Sequence, residues 1–124
     1  MTGTIFLFLG SVLITIWGVA HIIPTRSVVR GFGEISRDNA RIVRMTWVSE
    51  GLSLCFIGVV VLGVTILGLH INPVAVFVER AAAVMLLVSA TWTAFTGART
   101  PNVPMKLCPV VKAGVAVLFV IGSL

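Results

Sequence analysis

Four uninterrupted apolar runs constrain what this chain can fold into more than any other feature of its sequence. The hydrocarbon core of a bilayer is about 30 Å thick, and an α-helix crosses it in about 20 residues. The runs cover approximately 4–23, 45–68, 73–97 and 105–124. They take up most of the chain, so we expect an all-α fold, a polytopic membrane four-helix bundle that forms a single domain over residues 1–124.

Composition supports this interpretation over a soluble domain or a β-barrel. Hydrophobic residues make up 58% of the chain and charged residues only 10%, far from the balance of a soluble domain. Barrel strands would alternate polar and apolar residues and carry aromatic girdles, whereas these runs are unbroken and the chain has no tyrosine. Cys55 and Cys108 have no metal-ligand or redox-pair spacing, so we expect no metal site.

The distribution of basic residues predicts the orientation. The segment 24–44 contains five arginines, and Arg99 and Lys106 lie between the third and fourth runs. The connection 69–72 contains no arginine or lysine. Because short loops rich in Lys and Arg stay in the cytoplasm, we expect both termini on the non-cytoplasmic side of the cytoplasmic membrane.

The cytoplasmic loop 24–44 is predicted to lie on the membrane surface. Its apolar residues alternate with arginines, which can meet anionic headgroups at about 1 kcal/mol each. A simple positive-inside loop without specific lipid binding explains the same pattern. Ser36 is predicted to cap the helix that leads into the second span. We expect bilayer lipid, anionic lipid included, to be a partner, and nucleic acid not to be one.

Polar side chains of all four spans are predicted to share one depth in the inner leaflet. Counting about 1.5 Å per residue from the cytoplasmic ends places four of them within about 5 to 11 Å of the inner boundary. They are His21, Glu50, Thr93 and Lys112. An unpaired charge facing lipid costs at least about 2.5 to 3.5 kcal/mol at mid-helix, so we expect these groups to face the bundle interior and pair.

Helical spacing adds aromatic neighbours to this layer, since residues three or four apart share a face. Trp17 shares a face with His21, and Trp47 and Ser53 share one with Glu50. The third span carries a polar and aromatic stripe of Ser89, Trp92, Thr93 and Thr96. We therefore expect a polar and aromatic pocket with all three tryptophans in or beside it.

Two interpretations of the pocket stay open. In the functional one, Glu50 is a proton acceptor, His21 is its partner or a switch, Lys112 holds an anionic group, and tryptophans form the walls. In the structural one, Glu50 neutralises Lys112 or Arg99 and the tryptophans are interfacial anchors. For Lys112 a structural role is favoured, because a helix that begins at Pro109 would place it in the first turn, where it reaches the headgroups.

A second polar cluster is predicted at the opposite face of the membrane, formed by His70, Glu79 and Arg80. Adjacent helical residues point about 100° apart, so Glu79 and Arg80 cannot face the same groove. We expect Glu79 to face inward and Arg80 to reach outward to the headgroups. A structural or interfacial role is favoured for this cluster.

The first span ends in the segment GVAHIIP, which contains Gly18, His21 and Pro24. With this segment, the plan of four short spans resembles that of the small DoxX-like four-helix membrane proteins of bacteria. The resemblance covers the arrangement of spans along the whole chain. It implies a four-helix bundle and a link to quinone or thiol redox systems. It carries over no catalytic residue.

The sequence favours a protein that binds a small lipophilic molecule, quinone-like or a lipid, at the inner-leaflet pocket, as a redox-accessory protein. One alternative is a proton-coupled small multidrug-type transporter that acts as a homodimer. Such transporters are similar in carrying their key Glu in the first span, which here has none. A second alternative is a structural subunit of a larger membrane complex. Enzymatic activity stays open, because a Glu beside a His can move protons in a dry pocket.

Overall fold

The computed structural model describes residues 2–69 and 71–124, and most of them are helical. In chain order these are α1 (Thr2–Ile22), α2 (Thr25–Gly31), α3 (Arg37–Ile66), α4 (Pro73–Phe95) and α5 (Val103–Gly122), with a single 3-10 turn at Gly97–Arg99. The four long helices are each long and apolar enough to cross a membrane. The predicted all-α four-helix fold is confirmed, and the chain is a multi-pass membrane protein.

The segment 24–44 is more helical than a surface loop. It contains α2, and α3 begins at Arg37 rather than at residue 45. The cause is the predicted cap, because the Ser36 hydroxyl accepts a hydrogen bond from the backbone N–H of Asn39 at 3.1 Å. Asp38 in the first turn adds a favourable charge near the helix N-terminus. The helix therefore begins outside the apolar run.

The last helix also begins earlier than its apolar run suggested. Pro104 lies in the first turn of α5, where a proline fits without loss of a hydrogen bond, and Pro109 lies inside the helix. The helix therefore does not begin at Pro109, the condition on which the surface placement of Lys112 depended. Lys112 lies nine positions after Val103, about 14 Å along the helix rather than in its first turn.

Close packing of α1 against α3 depends on glycine. An ideal Cβ on Gly58 would lie 2.1 Å from the Thr15 hydroxyl oxygen, and one on Gly51 would lie 2.4 Å from Cγ1 of Ile22. Neither glycine tolerates a side chain unless the helices move apart. In this bundle both glycines bring two helices of the same chain together.

The order of the helices leaves one side of the bundle open. α1 packs against both α3 and α5, and α5 packs against α4, whereas α3 and α4 make few contacts with each other. Between them runs an apolar groove of about 610 Å³, which we call the α3–α4 groove. Its lining residues are Leu52, Ser53, Phe56, Ile57, Val60, Phe77, Val78, Ala81, Ala82 and Met85.

The two ends of the bundle differ in charge. Gly3 lies against Gly122, so the start of α1 and the end of α5 are at the same end, which we call the terminal end. The opposite end carries α2, the start of α3 and Arg99, and we call it the basic end. The buried core of apolar side chains lies between them, at Leu7, Ile14, Leu54, Val61, Ala83, Leu86, Val115, Ala116 and Phe119.

Candidate functional site

Side chains from four helices meet in one place toward the basic end. We call this group the charged cluster, and its members are His21 of α1, Glu50 of α3, Ser89 and Thr93 of α4, and Lys112 of α5. All of them lie inside helices that are long enough to cross a membrane. The four residues that depth counting grouped are therefore brought together, with Ser89 added.

Lys112 is the centre of the cluster. Its side chain is 0% exposed. The ammonium donates hydrogen bonds to Oε1 of Glu50, to the Ser89 hydroxyl at 2.8 Å and to the Thr93 hydroxyl at 2.9 Å. An ammonium has three N–H donors, and here each has an acceptor. The expectation that Lys112 reaches out to the headgroups is wrong, because α5 begins well before Pro109 and carries it into the interior.

Glu50 joins the two basic groups of the cluster. Its Oε1 accepts from Lys112, and its Oε2 lies 3.6 Å from Nε2 of His21. In contrast to Lys112, the Glu50 side chain is 38% exposed. Glu50 is therefore the most exposed ionisable member of the cluster.

The position of the His21 ring is fixed by Trp47. The two rings stack with centroids 4.1 Å apart and planes inclined by 14°. The Trp47 indole N–H also donates to the backbone carbonyl of His21 at 2.6 Å. Nε2 of His21 is buried and makes no hydrogen bond within residues 2–69 and 71–124. The stacking and the indole hydrogen bond together hold that nitrogen toward Glu50.

The other aromatic and polar candidates lie in different places. Trp17 is partly buried against the apolar core, and its indole N–H makes no hydrogen bond in the described part of the chain. Trp92 is 72% exposed and Thr96 is exposed, so neither belongs to the cluster. Trp92 precedes Thr93 by one position on α4, so its side chain points about 100° away from that of Thr93. Arg99 lies over the Phe95 ring at 5.6 Å and is not a partner of Glu50.

Members of the charged cluster lie about one helical turn beyond the lining of the α3–α4 groove, on each of its two walls. On α3 the lining residue Ser53 is three positions from Glu50, and on α4 the lining residue Met85 is four positions from Ser89. Residues at these spacings share a helix face. Glu50 and Ser89 therefore lie next to the apolar lining of the groove, on the same helix faces as that lining.

The second polar cluster is only partly visible, since His70 lies outside the described residues. Glu79 is fully buried, and neither of its carboxyl oxygens has a hydrogen-bond partner among the described residues. Arg80 is exposed and donates to the backbone carbonyl of Ser123 at 3.2 Å and to its hydroxyl at 3.4 Å. Glu79 faces inward and Arg80 outward, as their adjacency predicts.

Two polar residues of the interior were not singled out as site residues from the sequence. Ser89 was one member of a stripe, and only its position four before Thr93 indicated that both face the same neighbour. Ser11 is buried with its hydroxyl unpartnered in the part of the chain that the structure describes, and no sequence pattern marks it. No protein-family model, curated protein or solved structure matches this chain. Its function is therefore argued from the chemistry of the cluster and the groove.

Proposed function

We propose that this protein binds a small lipophilic molecule of quinone-like chemistry, with its polar head at the charged cluster and its apolar part in the α3–α4 groove. The observation that carries the proposal is the position of Glu50, a partly exposed charge three positions before the groove-lining residue Ser53 on the same helix. Small-molecule sites are mostly apolar with a few placed polar groups, and their volumes run from about 300 to 1,000 Å³. The groove volume of about 610 Å³ lies in this range.

Packing alone gives no reason for the charged cluster. A buried ion pair contributes little net stability, because desolvation of the two charges offsets their attraction. Apolar residues of similar volume would fill the same space at little cost. Ionisable groups inside membrane helices accordingly tend to mark sites for ligands, ions or protons. The pairing of Lys112 with three acceptors supports a preorganised site.

A redox-accessory role is the form of this function that the resemblance to the DoxX-like proteins supports. That group is linked to quinone or thiol redox systems. A protein of this kind would hold a quinone-like molecule at a defined depth in the membrane. The charged cluster supplies the polar contacts for its head, and the groove supplies the apolar surface for its tail.

We further propose that the basic end faces the cytoplasm and lies against anionic lipid of the cytoplasmic membrane. Seven of the nine basic residues support this orientation. They are Arg26, Arg30, Arg37, Arg41, Arg44, Arg99 and Lys106. The exposed side chains of Ile23 and Phe32 flank α2 and suit the interface between headgroups and acyl chains. In this orientation the charged cluster lies in the inner leaflet.

Tryptophan fluorescence tests the binding proposal, because Trp47 is in contact with the cluster and quinones quench indole emission. The protein would carry Trp92→Phe to remove the exposed indole and would be placed in lipid nanodiscs. Titration with decyl-benzoquinone and with its hydroquinone should reveal saturable quenching by at least one form. The double variant Glu50→Gln/Lys112→Met should lose the saturable component.

The matched control is Glu34→Gln/Lys106→Met, which makes the same chemical changes at two exposed residues. It should bind like the parent protein. Quenching that rises linearly with probe and is equal in all variants would mean simple partition into the lipid. That result would overturn the proposed function.

A further inference from the structure

A molecule lying in the α3–α4 groove meets the charged cluster through one of its ionisable members. The Lys112 side chain is 0% exposed, that of His21 is 5% exposed, and that of Glu50 is 38% exposed. Ser53, which lines the groove, is three positions from Glu50 on the same helix face. The first strong polar group available to such a molecule is therefore a carboxylate.

The hydrogen bonds already made in the cluster restrict what this molecule can offer. All three donors of the Lys112 ammonium are taken by Glu50, Ser89 and Thr93, so none is left for a carbonyl oxygen. An ionised carboxylate has only acceptor sites, about four in number. Lys112 uses Oε1, while among the described residues Oε2 accepts no hydrogen bond and lies 3.6 Å from Nε2 of His21. Acceptor capacity is thus left on Glu50.

We infer that the ligand is held by a hydroxyl group that it donates to Glu50, so that the site takes a hydroxyl-bearing lipophilic molecule, such as a quinol, in preference to its carbonyl or ether counterpart. This inference rests on the proposed function and specifies its ligand. An anionic headgroup is disfavoured by the same geometry, because it would approach Glu50 with like charge while Lys112 is already paired. A hydroxyl needs no rearrangement of the cluster.

Two matched probes that cannot change redox state test whether the site prefers a hydroxyl group to an ether. Para-decylphenol and para-decylanisole differ only by methylation of the oxygen, which removes the donor and keeps the ring and the chain. Each would compete with the saturable quinone or hydroquinone probe in nanodiscs. The phenol should compete about tenfold or more better than the anisole, the effect expected of one hydrogen bond to a charged acceptor.

A third competitor, a long-chain alkanol, distinguishes a quinol-type ring from an aliphatic lipid alcohol. Competition by the alkanol equal to that of the phenol would identify a lipid alcohol as the ligand class, and the hydroxyl requirement would stand. Weak competition by the alkanol would identify an aromatic quinol. Both outcomes support donation to Glu50.

The variant Glu50→Gln tests the acceptor directly. An amide offers N–H donors beside its carbonyl, so the preference for phenol over anisole should fall to about two- to threefold or less. An anisole that competes as well as the phenol against the unmodified protein would overturn the inference while leaving the proposed function intact. Absence of any saturable binding would instead overturn the proposed function.

Discussion

The Lys112 ammonium is out of reach of solvent and depends on Glu50, Ser89 and Thr93 for its hydrogen bonds. Two neutral hydroxyls cannot balance its charge, so Glu50 supplies the counter-charge. Removal of one partner of a buried ion pair leaves the other uncompensated, whereas replacement of both partners by apolar or neutral groups is often neutral. A single substitution in this pair should therefore destabilise the fold more than the double substitution does.

Glu50→Gln alone should lower the free energy of unfolding by about 2 kcal/mol, because it leaves a buried cation with neutral acceptors only. The double variant Glu50→Gln/Lys112→Met should recover most of that loss. Thermal unfolding in detergent, followed by circular dichroism, measures both. A double variant that is less stable than Glu50→Gln would contradict the buried pair described here.

Glu79 presents the opposite case, a buried carboxyl without a partner among the described residues. A buried polar group that lacks a hydrogen bond costs about 1 to 3 kcal/mol. Glu79→Met keeps the length of the side chain and removes this cost, so the melting temperature should rise. Glu34→Met at an exposed position is the control and should change stability by less than about 0.5 kcal/mol. A marked loss of stability in Glu79→Met would reveal a partner for this carboxyl.

At the scale of the elements, the contact between α1 and α3 determines the distance between His21 and Glu50. Gly58 is the closest point of this contact, where a Cβ would lie 2.1 Å from the Thr15 hydroxyl oxygen and 2.7 Å from the Ser11 carbonyl oxygen. The carbonyl belongs to the backbone, so a side chain at Gly58 can be accommodated only if the helices move apart. Such a movement would also separate the two sides of the charged cluster.

Gly58→Ala should therefore destabilise the fold by about 1 to 3 kcal/mol, the usual cost of overpacking, and weaken ligand binding as well. Gly114→Ala is the matched control, since a Cβ there meets nothing within 4 Å. Its better helix propensity should leave the protein as stable or raise stability by up to about 1 kcal/mol. Equal behaviour of the two variants in unfolding and binding would show that the α1–α3 contact is looser than described.

The four long helices were predictable from the sequence because apolar length decides whether a segment can cross a bilayer. Their ends were less predictable, since α3 begins at a capping serine, Ser36, and α5 begins beside Pro104, both outside the apolar runs. A helix that began at Pro109 would have placed Lys112 near the surface, whereas α5 begins six positions earlier, at Val103. Local capping chemistry decides where a membrane helix begins.

The depth of each member of the charged cluster in the membrane could be predicted from the sequence, but depth alone does not give the direction of its side chain. Depth counting grouped His21, Glu50, Thr93 and Lys112 correctly, because a helix rises by a constant amount per residue. It could not exclude Trp92, which lies at the depth of the cluster but points its side chain away from the bundle interior. The α3–α4 groove was beyond prediction, because hydropathy does not reveal which helices are neighbours around the bundle.

At the scale of the whole molecule, the two ends of the bundle carry different charge, and the start of α1 and the end of α5 lie together at the end with fewer basic residues. In the proposed orientation, a reporter that is active only in the cytoplasm should stay silent when fused after Leu124. The same reporter inserted after Gly33, between α2 and α3, should be active. Strong activity at the C-terminus with silence at Gly33 would reverse the proposed orientation.

The central claim is that one lipophilic molecule occupies the α3–α4 groove with its head at Glu50, and photochemical mapping tests it most directly. A para-alkylphenol with a diazirine in its alkyl chain would be irradiated with the protein in nanodiscs, and the labelled peptides identified by mass spectrometry. The account predicts saturable labelling at groove residues such as Phe56 and Phe77, lost in Glu50→Gln/Lys112→Met and kept in Glu34→Gln/Lys106→Met. Labelling spread evenly over exposed apolar residues of all four long helices, and unchanged by unlabelled phenol, would contradict it.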